Sequence, residues 1–448
     1  MGMAATIDDI QHLMGLRGGR LYAGAVPGGT AVTDPEQALL VLGPPRSGKT
    51  SAIAVPNTLC APGPVIATST KPDLLAATRA GRSRMGRCWL FDPTGKVQPP
   101  DGVELLRWSP VAAARTWDES LLIARSISGA ARPAGRRGES AHWTERAEAL
   151  LAPLLHAAHL QGSGMDVVVA WVLSQDLGPA TAILAGEGLR LAGAVLAGID
   201  ATDGREQSGI WSSAAGLLAA YRSEAALDRS DPPNFDPAGL ATTTDTVYVC
   251  APGREQSMVA PIVVAFLDQA RSGAYAAAGT GRPHLTLVLD ELANIAPLPD
   301  LPALVSEGGG QGVLTVGLLQ DLSQARARWG PEADGFLSLF GAKLILPGIG
   351  DLPTLELVSR LAGEVDVPAR SVSRGPWWAP GRGAETVSWS GHRQRRLPVD
   401  QVRHQPAGTA LLLSGAEHPE RVGLPPWWAN RRLPTAGRDP AVTRTLDR

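Results

Sequence analysis

Apolar residues in this chain fall into short, nearly continuous runs bounded by glycine, proline and small polar residues. The runs occupy 37–42, 64–68, 87–91, 246–250, 285–290, 313–319, 342–346 and 409–413. Runs of that length without polar alternation predict strands buried on both faces, as in a mostly parallel sheet covered by helices. Between the third and fourth runs the pattern changes. Stretches 119–128, 144–160, 180–197 and 206–221 are rich in Ala and Leu, lack strand alternation and predict helices. The expected fold class is therefore α/β, with an all-helical insertion at 111–237 that splits one core into 1–110 and 238–430. The Arg/Gly/Pro stretch 130–140 predicts an exposed connection, 374–391 a long Gly/Trp-rich loop or linker, and 431–448 a flexible tail.

The first run leads into Gly43-Pro44-Pro45-Arg46-Ser47-Gly48-Lys49-Thr50, which has GxxxxGK[ST] spacing in the context it requires: strand, Gly-rich turn, then a helix from about Lys49. Such a turn aims backbone N–H groups and the positive end of a helix at phosphate oxygens. Gly43 through Ser51 are thus the candidate cofactor-binding residues, with Lys49 reaching β/γ oxygens and Thr50 holding Mg²⁺. The alternative is a surface turn with a solvated lysine.

The run at 285–289 ends in Asp290-Glu291. A strand ending in two carboxylates places Asp290 near the metal, directly or through water, and Glu291 near the attacking water. The run at 313–319 ends at Gln320. In a parallel sheet that position lies beside the phosphates, where an amide can contact the γ-phosphate or the attacking water; otherwise Gln320 is a capping or surface amide. The candidate catalytic set is Lys49, Asp290, Glu291 and Gln320, the metal set Thr50 and Asp290, and the implied cofactors are ATP and Mg²⁺.

Composition narrows this only a little. With 448 residues and 44% hydrophobic positions the chain can bury a sizeable core. Its 41 Lys+Arg against 43 Asp+Glu exert no global pull on nucleic acid, which leaves local arginine clusters to do so. Two are present: Arg132, Arg136 and Arg137, and Arg393, Arg395 and Arg396. Each is either a phosphate contact or a solvated loop. Trp143 and Trp171 adjoin apolar helical stretches and are expected to pack there, His142 to have a local structural role, and Trp377 and Trp378, among Gly and Pro, to meet a partner. Cys60, Cys88 and Cys250 are too scattered for a disulfide framework or a CxxC zinc site, in keeping with a reducing cytoplasm. No apolar run reaches the ~18–20 residues that span a bilayer, and residues 1–20 lack a signal peptide's apolar centre. The expected location is cytoplasmic, at the inner face of the membrane through a partner or a region beyond this chain.

Further motifs follow in order: Ser69-Thr70-Lys71-Pro72-Asp73-Leu74, Thr78-Arg79, Phe91-Asp92-Pro93, Trp108-Ser109-Pro110, Asp290-Glu291-Leu292-Ala293-Asn294-Ile295, Gln320-Asp321-Leu322-Ser323-Gln324, Ala342-Lys343-Leu344-Ile345-Leu346-Pro347-Gly348, Asp351 and Ser359-Arg360-Leu361. With these motifs the chain resembles, over nearly its full length, the TraG/TraD/VirD4 coupling ATPases of the FtsK/HerA group, especially an actinobacterial branch with a TraM-recognition C-terminal part. The resemblance implies a RecA-like P-loop NTPase core and a DNA-stimulated ATPase that acts as a homo-hexameric ring; without a membrane segment or partner, the isolated chain is expected to be a monomer. It would be a DNA translocase and coupling protein, bringing single-stranded, relaxase-linked DNA or secreted protein to a conjugation or type IV secretion channel. The helical insertion would recognise cargo. The alternative is a nucleotide-switched recruitment adaptor that does not translocate DNA. Two departures stand out: the chain has no N-terminal membrane region, and Glu307-Gly308-Gly309-Gly310-Gln311-Gly312 stands where many relatives carry an arginine, which leaves Arg326, Arg328 or Arg360 as candidates for an intersubunit arginine.

Overall fold

The computed structural model describes residues 14–131, 139–374 and 385–430, with Gln11 and Leu433. All eight expected strands form and lie in one sheet: β3 (Leu39–Leu42), β4 (Val65–Ser69), β5 (Cys88–Phe91), β7 (Thr246–Cys250), β8 (Leu285–Leu289), β9 (Val313–Leu319), β10 (Ala342–Ile345) and β13 (Thr409–Ser414). β1 (Tyr22–Val26), β2 (Gly29–Val32), β6 (Glu104–Leu105) and β14 (Glu420–Gly423) complete the order β2-β1-β14-β13-β10-β3-β9-β8-β4-β7-β5-β6. From β10 to β6 every neighbouring pair is parallel, whereas β13, β14, β1 and β2 add an antiparallel edge.

The central strands are buried on both faces because their apolar runs are continuous. On β3, Leu39 and Val41 enter one apolar core while Leu40 and Leu42 enter the other. Helices Val55–Cys60 and Asp73–Arg82 cover the first face, and the long helix Gln256–Ala277 covers the second. Among the described residues no helix is long and apolar enough to cross a membrane.

Between β6 and β7 the described residues contain helices and no strand, among them Trp117–Ala131, Glu139–Gln161, Met165–Ser174, Gly178–Gly186, Arg190–Asp200 and Gly204–Leu217. The two ends of this stretch are tied together: Trp108 N–H donates to the Arg229 carbonyl at 3.1 Å, and Asn234 N–H to the Arg107 carbonyl at 3.1 Å. The stretch does not have a separate interior, since its apolar residues join the core that covers one face of the sheet. Trp171 is buried, and Trp143 packs against that core where a side chain at Gly209 would collide with its ring. His142 sits edge-on to Trp143, a local contact.

Three local expectations need correction. The helix expected over 180–197 breaks at Gly188, which takes φ +71°, a region costly for residues with a Cβ. The helix expected over 206–221 ends at Leu217 and tightens into a 3₁₀ turn at Ala219–Arg222. The loop expected over 374–391 is in part a strand. β11 (Glu364–Arg374) and β12 (Glu385–Arg395) pair antiparallel through eleven positions as a ribbon outside the main sheet. Cross-strand pairing, rather than burial, makes this ribbon, so its residues carry no core-strand signature; Val365, Val367, Val372, Val387 and Trp389 are exposed. The expected tail 431–448, apart from Leu433, the basic cluster Arg132, Arg136 and Arg137, and Trp377 and Trp378 lie outside the described residues.

The crossing of Gln256–Ala277 over the turn Pro237–Thr242 depends on Gly273, where a Cβ would run into the Ala238 carbonyl. Gly273→Ala should therefore destabilise the chain by about 1–3 kcal/mol through overpacking. Gly198→Ala, on an exposed turn of Arg190–Asp200 with nothing within 4 Å, should stabilise it by up to ~1 kcal/mol. Thermal melts of the two variants check the pair; equal melting temperatures would refute the assigned close approach.

Candidate nucleotide site

β3, β9 and β8 are consecutive in the sheet and parallel, so their C-terminal ends open on the same edge. Gly43–Thr50 leaves β3, Gln320 leaves β9 and Asp290-Glu291 leaves β8. This is the crevice position in which open α/β sheets bind ligands.

The loop after β3 is shaped by close contacts. A Cβ at Gly43 would lie 2.8 Å from both Leu346 Cβ and Ser47 Oγ, and Gly48 adopts φ +92°. Arg46 also takes a left-handed φ of +63°, which folds the loop back toward the helix start. Lys49 is only 9% exposed, and its Nζ donates to the carbonyls of Pro44, at 3.0 Å, and Gly43. Burial holds its pKa below the ordinary lysine value, while Asp290, Glu291 and Asp321 oppose that shift. Ser47 Oγ is buried and has no hydrogen-bond partner.

Thr50 Oγ1 donates to Asp290 Oδ2 at 2.8 Å, joining the two motifs. Asp290 Oδ1 accepts the Glu291 N–H at 3.1 Å, and the Asp290 carbonyl accepts Thr68 Oγ1 at 2.7 Å from neighbouring β4. Burial raises the Asp290 pKa; the Thr50 hydrogen bond pulls it down, and the nearby Glu291 charge pushes it up. Glu291 occupies the left-handed region, φ +54° and ψ +43°, at the start of the short helix Leu292–Ile295. That conformation costs a non-glycine residue about 1–3 kcal/mol. Asn294 Nδ2 donates to Glu291 Oε2 at 3.0 Å and so fixes the carboxylate.

Gln320 stands between these groups in strand order. Its main-chain N–H donates to Gln324 Oε1 at 2.9 Å, whereas Asp321 caps the following helix, Leu322–Trp329. The alternative capping role thus falls to Asp321.

The donor set fits a magnesium–nucleoside triphosphate. A turn with an unpartnered buried hydroxyl and a lysine facing main-chain carbonyls can receive phosphate oxygens. The paired Thr50 hydroxyl and Asp290 carboxylate are hard oxygen ligands of the kind Mg²⁺ prefers. Thr68 and Asn294 escaped sequence reasoning. Asn294 had a visible signal, three residues beyond Glu291 on the same short helix; Thr68 had none, because only the pairing of β4 with β8 brings it to Asp290.

The arginine candidates are not equivalent. Arg326 is bound to Asp334 at 2.7 Å and Asp351 at 3.0 Å. Arg328 donates to the carbonyls of Gly129 and Ala130 at the end of Trp117–Ala131, and burial lowers its pKa to about 10. Arg360 is exposed, with one loose ion pair to Glu356 at 3.8 Å. The Gly308–Gly312 segment lies at the N-terminal end of β9, where Gly309 packs on the Glu36 main chain, away from the phosphate loop. Of the basic cluster at 393–396, Arg393 lies within 4.0 Å of Glu364 and Asp366, and Arg395 donates to Ser359 Oγ at 3.3 Å.

Residues 284–407 match the family described as the TraM recognition site of TraD and TraG. No curated protein sequence matches the chain. The fold is similar to the unbound bacterial conjugative coupling protein TrwBdeltaN70, with 18% identity, a TM-score of 0.69, and coverage of 87% of this chain and 85% of that one. It is also similar to the plasmid coupling protein TrwB in complex with ADP and Mg²⁺, with 19% identity, a TM-score of 0.65 and coverage of 87% and 86%. At such identity the likeness establishes the fold, a RecA-like α/β core with helical additions. The chain is thus similar to TraD and TraG in its 284–407 segment and to the coupling protein TrwB in its fold.

Proposed function

We propose that this chain is an Mg²⁺-dependent ATPase working as a coupling-protein motor on DNA. The observation that carries the reading is the 2.8 Å contact between Thr50 Oγ1 and Asp290 Oδ2, with Lys49 and Glu291 beside it. Lys49 would leave the carbonyls of Gly43 and Pro44 for phosphate oxygens, and Gly48, Lys49, Thr50 and Ser51 would offer N–H groups to them. Bound Mg²⁺, held by Thr50 and through Asp290, would neutralise phosphate charge. Glu291, held by Asn294, would accept the proton of the attacking water, and Gln320 would hold that water or sense the terminal phosphate.

The similarity to proteins described as conjugative and plasmid coupling proteins supports a role in passing DNA, or protein attached to it, toward a transfer channel. We place that work at the cytoplasmic face of the membrane and in a homo-hexameric ring, with residues 111–237 as the cargo-recognising part. Relaxase-linked single-stranded DNA is the proposed substrate. Hydrolysis assayed with and without single- and double-stranded DNA tests the motor reading. Stimulation by DNA, with ATP-driven displacement of a bound obstacle, is expected. Nucleotide-dependent capture of a protein partner without either effect would replace the motor by a recruitment adaptor.

Two site variants should separate binding from chemistry. Lys49→Ala should abolish most ATP binding and turnover, since it removes the cation buried within the loop. Glu291→Gln should keep ATP binding yet lower turnover about 10²–10⁴-fold, the range for loss of a general base. Full turnover in a folded E291Q protein would move the base elsewhere.

Arg360 should act across a subunit boundary, because Arg326 and Arg328 are already engaged. Specific activity should climb steeply with protein concentration, and Arg360→Ala should remove about 10³-fold or more of the assembled rate while leaving ATP affinity unchanged. Activity independent of concentration, with R360A unimpaired, would refute this assignment.

A further inference from the structure

The helix after the phosphate loop begins irregularly. Thr50–Ala54 is a π turn in which the Val55 N–H reaches back to the Thr50 carbonyl, and the chain then settles into the α-helix Val55–Cys60. In that i→i+5 pattern the Ser51 carbonyl would accept from residue 56, which is Pro56 and has no N–H. A helical carbonyl that loses its donor in the ladder needs another from somewhere. Trp427 supplies it: its N–H donates to the Ser51 carbonyl at 3.0 Å.

Trp427 belongs to the segment 424–430 that follows β14. Leu424 and Trp427 are buried in the same apolar core as Ala52, Ile53 and Val55. Farther along, Asn430 is buried and its Nδ2 donates to the Tyr22 hydroxyl at 3.3 Å. Tyr22 in turn exchanges two main-chain hydrogen bonds with the Asn57 side chain, at 2.9 and 3.0 Å. The segment therefore holds the phosphate-loop helix on both sides of Pro56, at Ser51 directly and at Asn57 through Tyr22.

We infer that 424–430 is a positioning strap for the phosphate loop, in which the Trp427 N–H makes the hydrogen bond that Pro56 withholds and keeps Thr50 in reach of Asp290. The inference rests on the reading of Gly43–Thr50 as the nucleotide site. Trp427 meets the candidate binding residues at their last member: its N–H holds the Ser51 carbonyl, and it acts on Thr50 through that residue. A helix released at Ser51 can tilt, and the Thr50–Asp290 contact has no slack at 2.8 Å.

The test is a double-mutant cycle on the full chain, read as the Mg–ATP dissociation constant by calorimetric titration. Trp427→Pro removes the N–H together with a buried ring, so Trp427→Ala, which loses the ring and keeps the N–H, is the reference; W427P should bind about tenfold more weakly than W427A, the effect of one unsatisfied carbonyl. Pro56→Ala returns an N–H to the helix. Alone it should bind within about twofold of wild type, and in its background W427P should bind within about twofold of W427A. Equal loss in both backgrounds, or no loss in either, overturns the strap. If W427P does not fold, hydrogen exchange at the Trp427 amide decides. Exchange should be slow in wild type and distinctly faster in P56A, and equal protection overturns the inference. Wild-type binding by K49A would instead sink the reading of the site, whichever way the cycle came out.

Discussion

One contact, between the Thr50 hydroxyl and the Asp290 carboxylate, joins groups 240 residues apart in the chain, and most of the fold serves to hold it. It exists because β3, β9 and β8 are adjacent and parallel, so that the loops leaving them share an edge. Parallel neighbours cannot be joined by tight turns; each needs a crossover that lays a helix on the sheet. Two covered faces follow, and with them the continuous apolar runs that make the strands recognisable.

The site concentrates opposed charge in a place the sheet has dried. Burial disfavours the charged forms of both Lys49 and Asp290, and each is partly restored by the other's field. The left-handed backbone of Glu291 belongs to the same arrangement. It turns the second carboxylate out of the strand direction, and the Asn294 hydrogen bond holds it there.

The helical stretch between β6 and β7 is joined to this machinery more closely than a tethered lobe would be. Its first long helix, Trp117–Ala131, packs on Gln256–Ala277, and the carbonyls at its end accept from Arg328 on the helix that begins just after Gln320. The half-buried guanidinium forms no ion pair with a carboxylate among the described residues. It complements the negative end of a helix dipole instead.

Much of this was legible in sequence, for reasons tied to range. The phosphate loop, the Asp290-Glu291 pair and eight core strands are local patterns: fixed spacing around a turn, or an apolar run long enough to be buried on both faces. Their chemistry depends on residue types that few other tasks require together. What the tertiary structure alone decided depends on pairing between distant segments. Gln320 stands between the loop and the carboxylates because of strand order. Thr68 meets Asp290 because β4 lies beside β8. Arg326 and Arg328 are engaged while Arg360 is exposed, although the three look alike in sequence. The ribbon at 364–395 was hidden because its strands are stabilised by each other and carry no buried face. The Trp427 bond was hidden as well: a proline tells the reader which donor is missing, and only the folded chain shows which distant N–H replaces it.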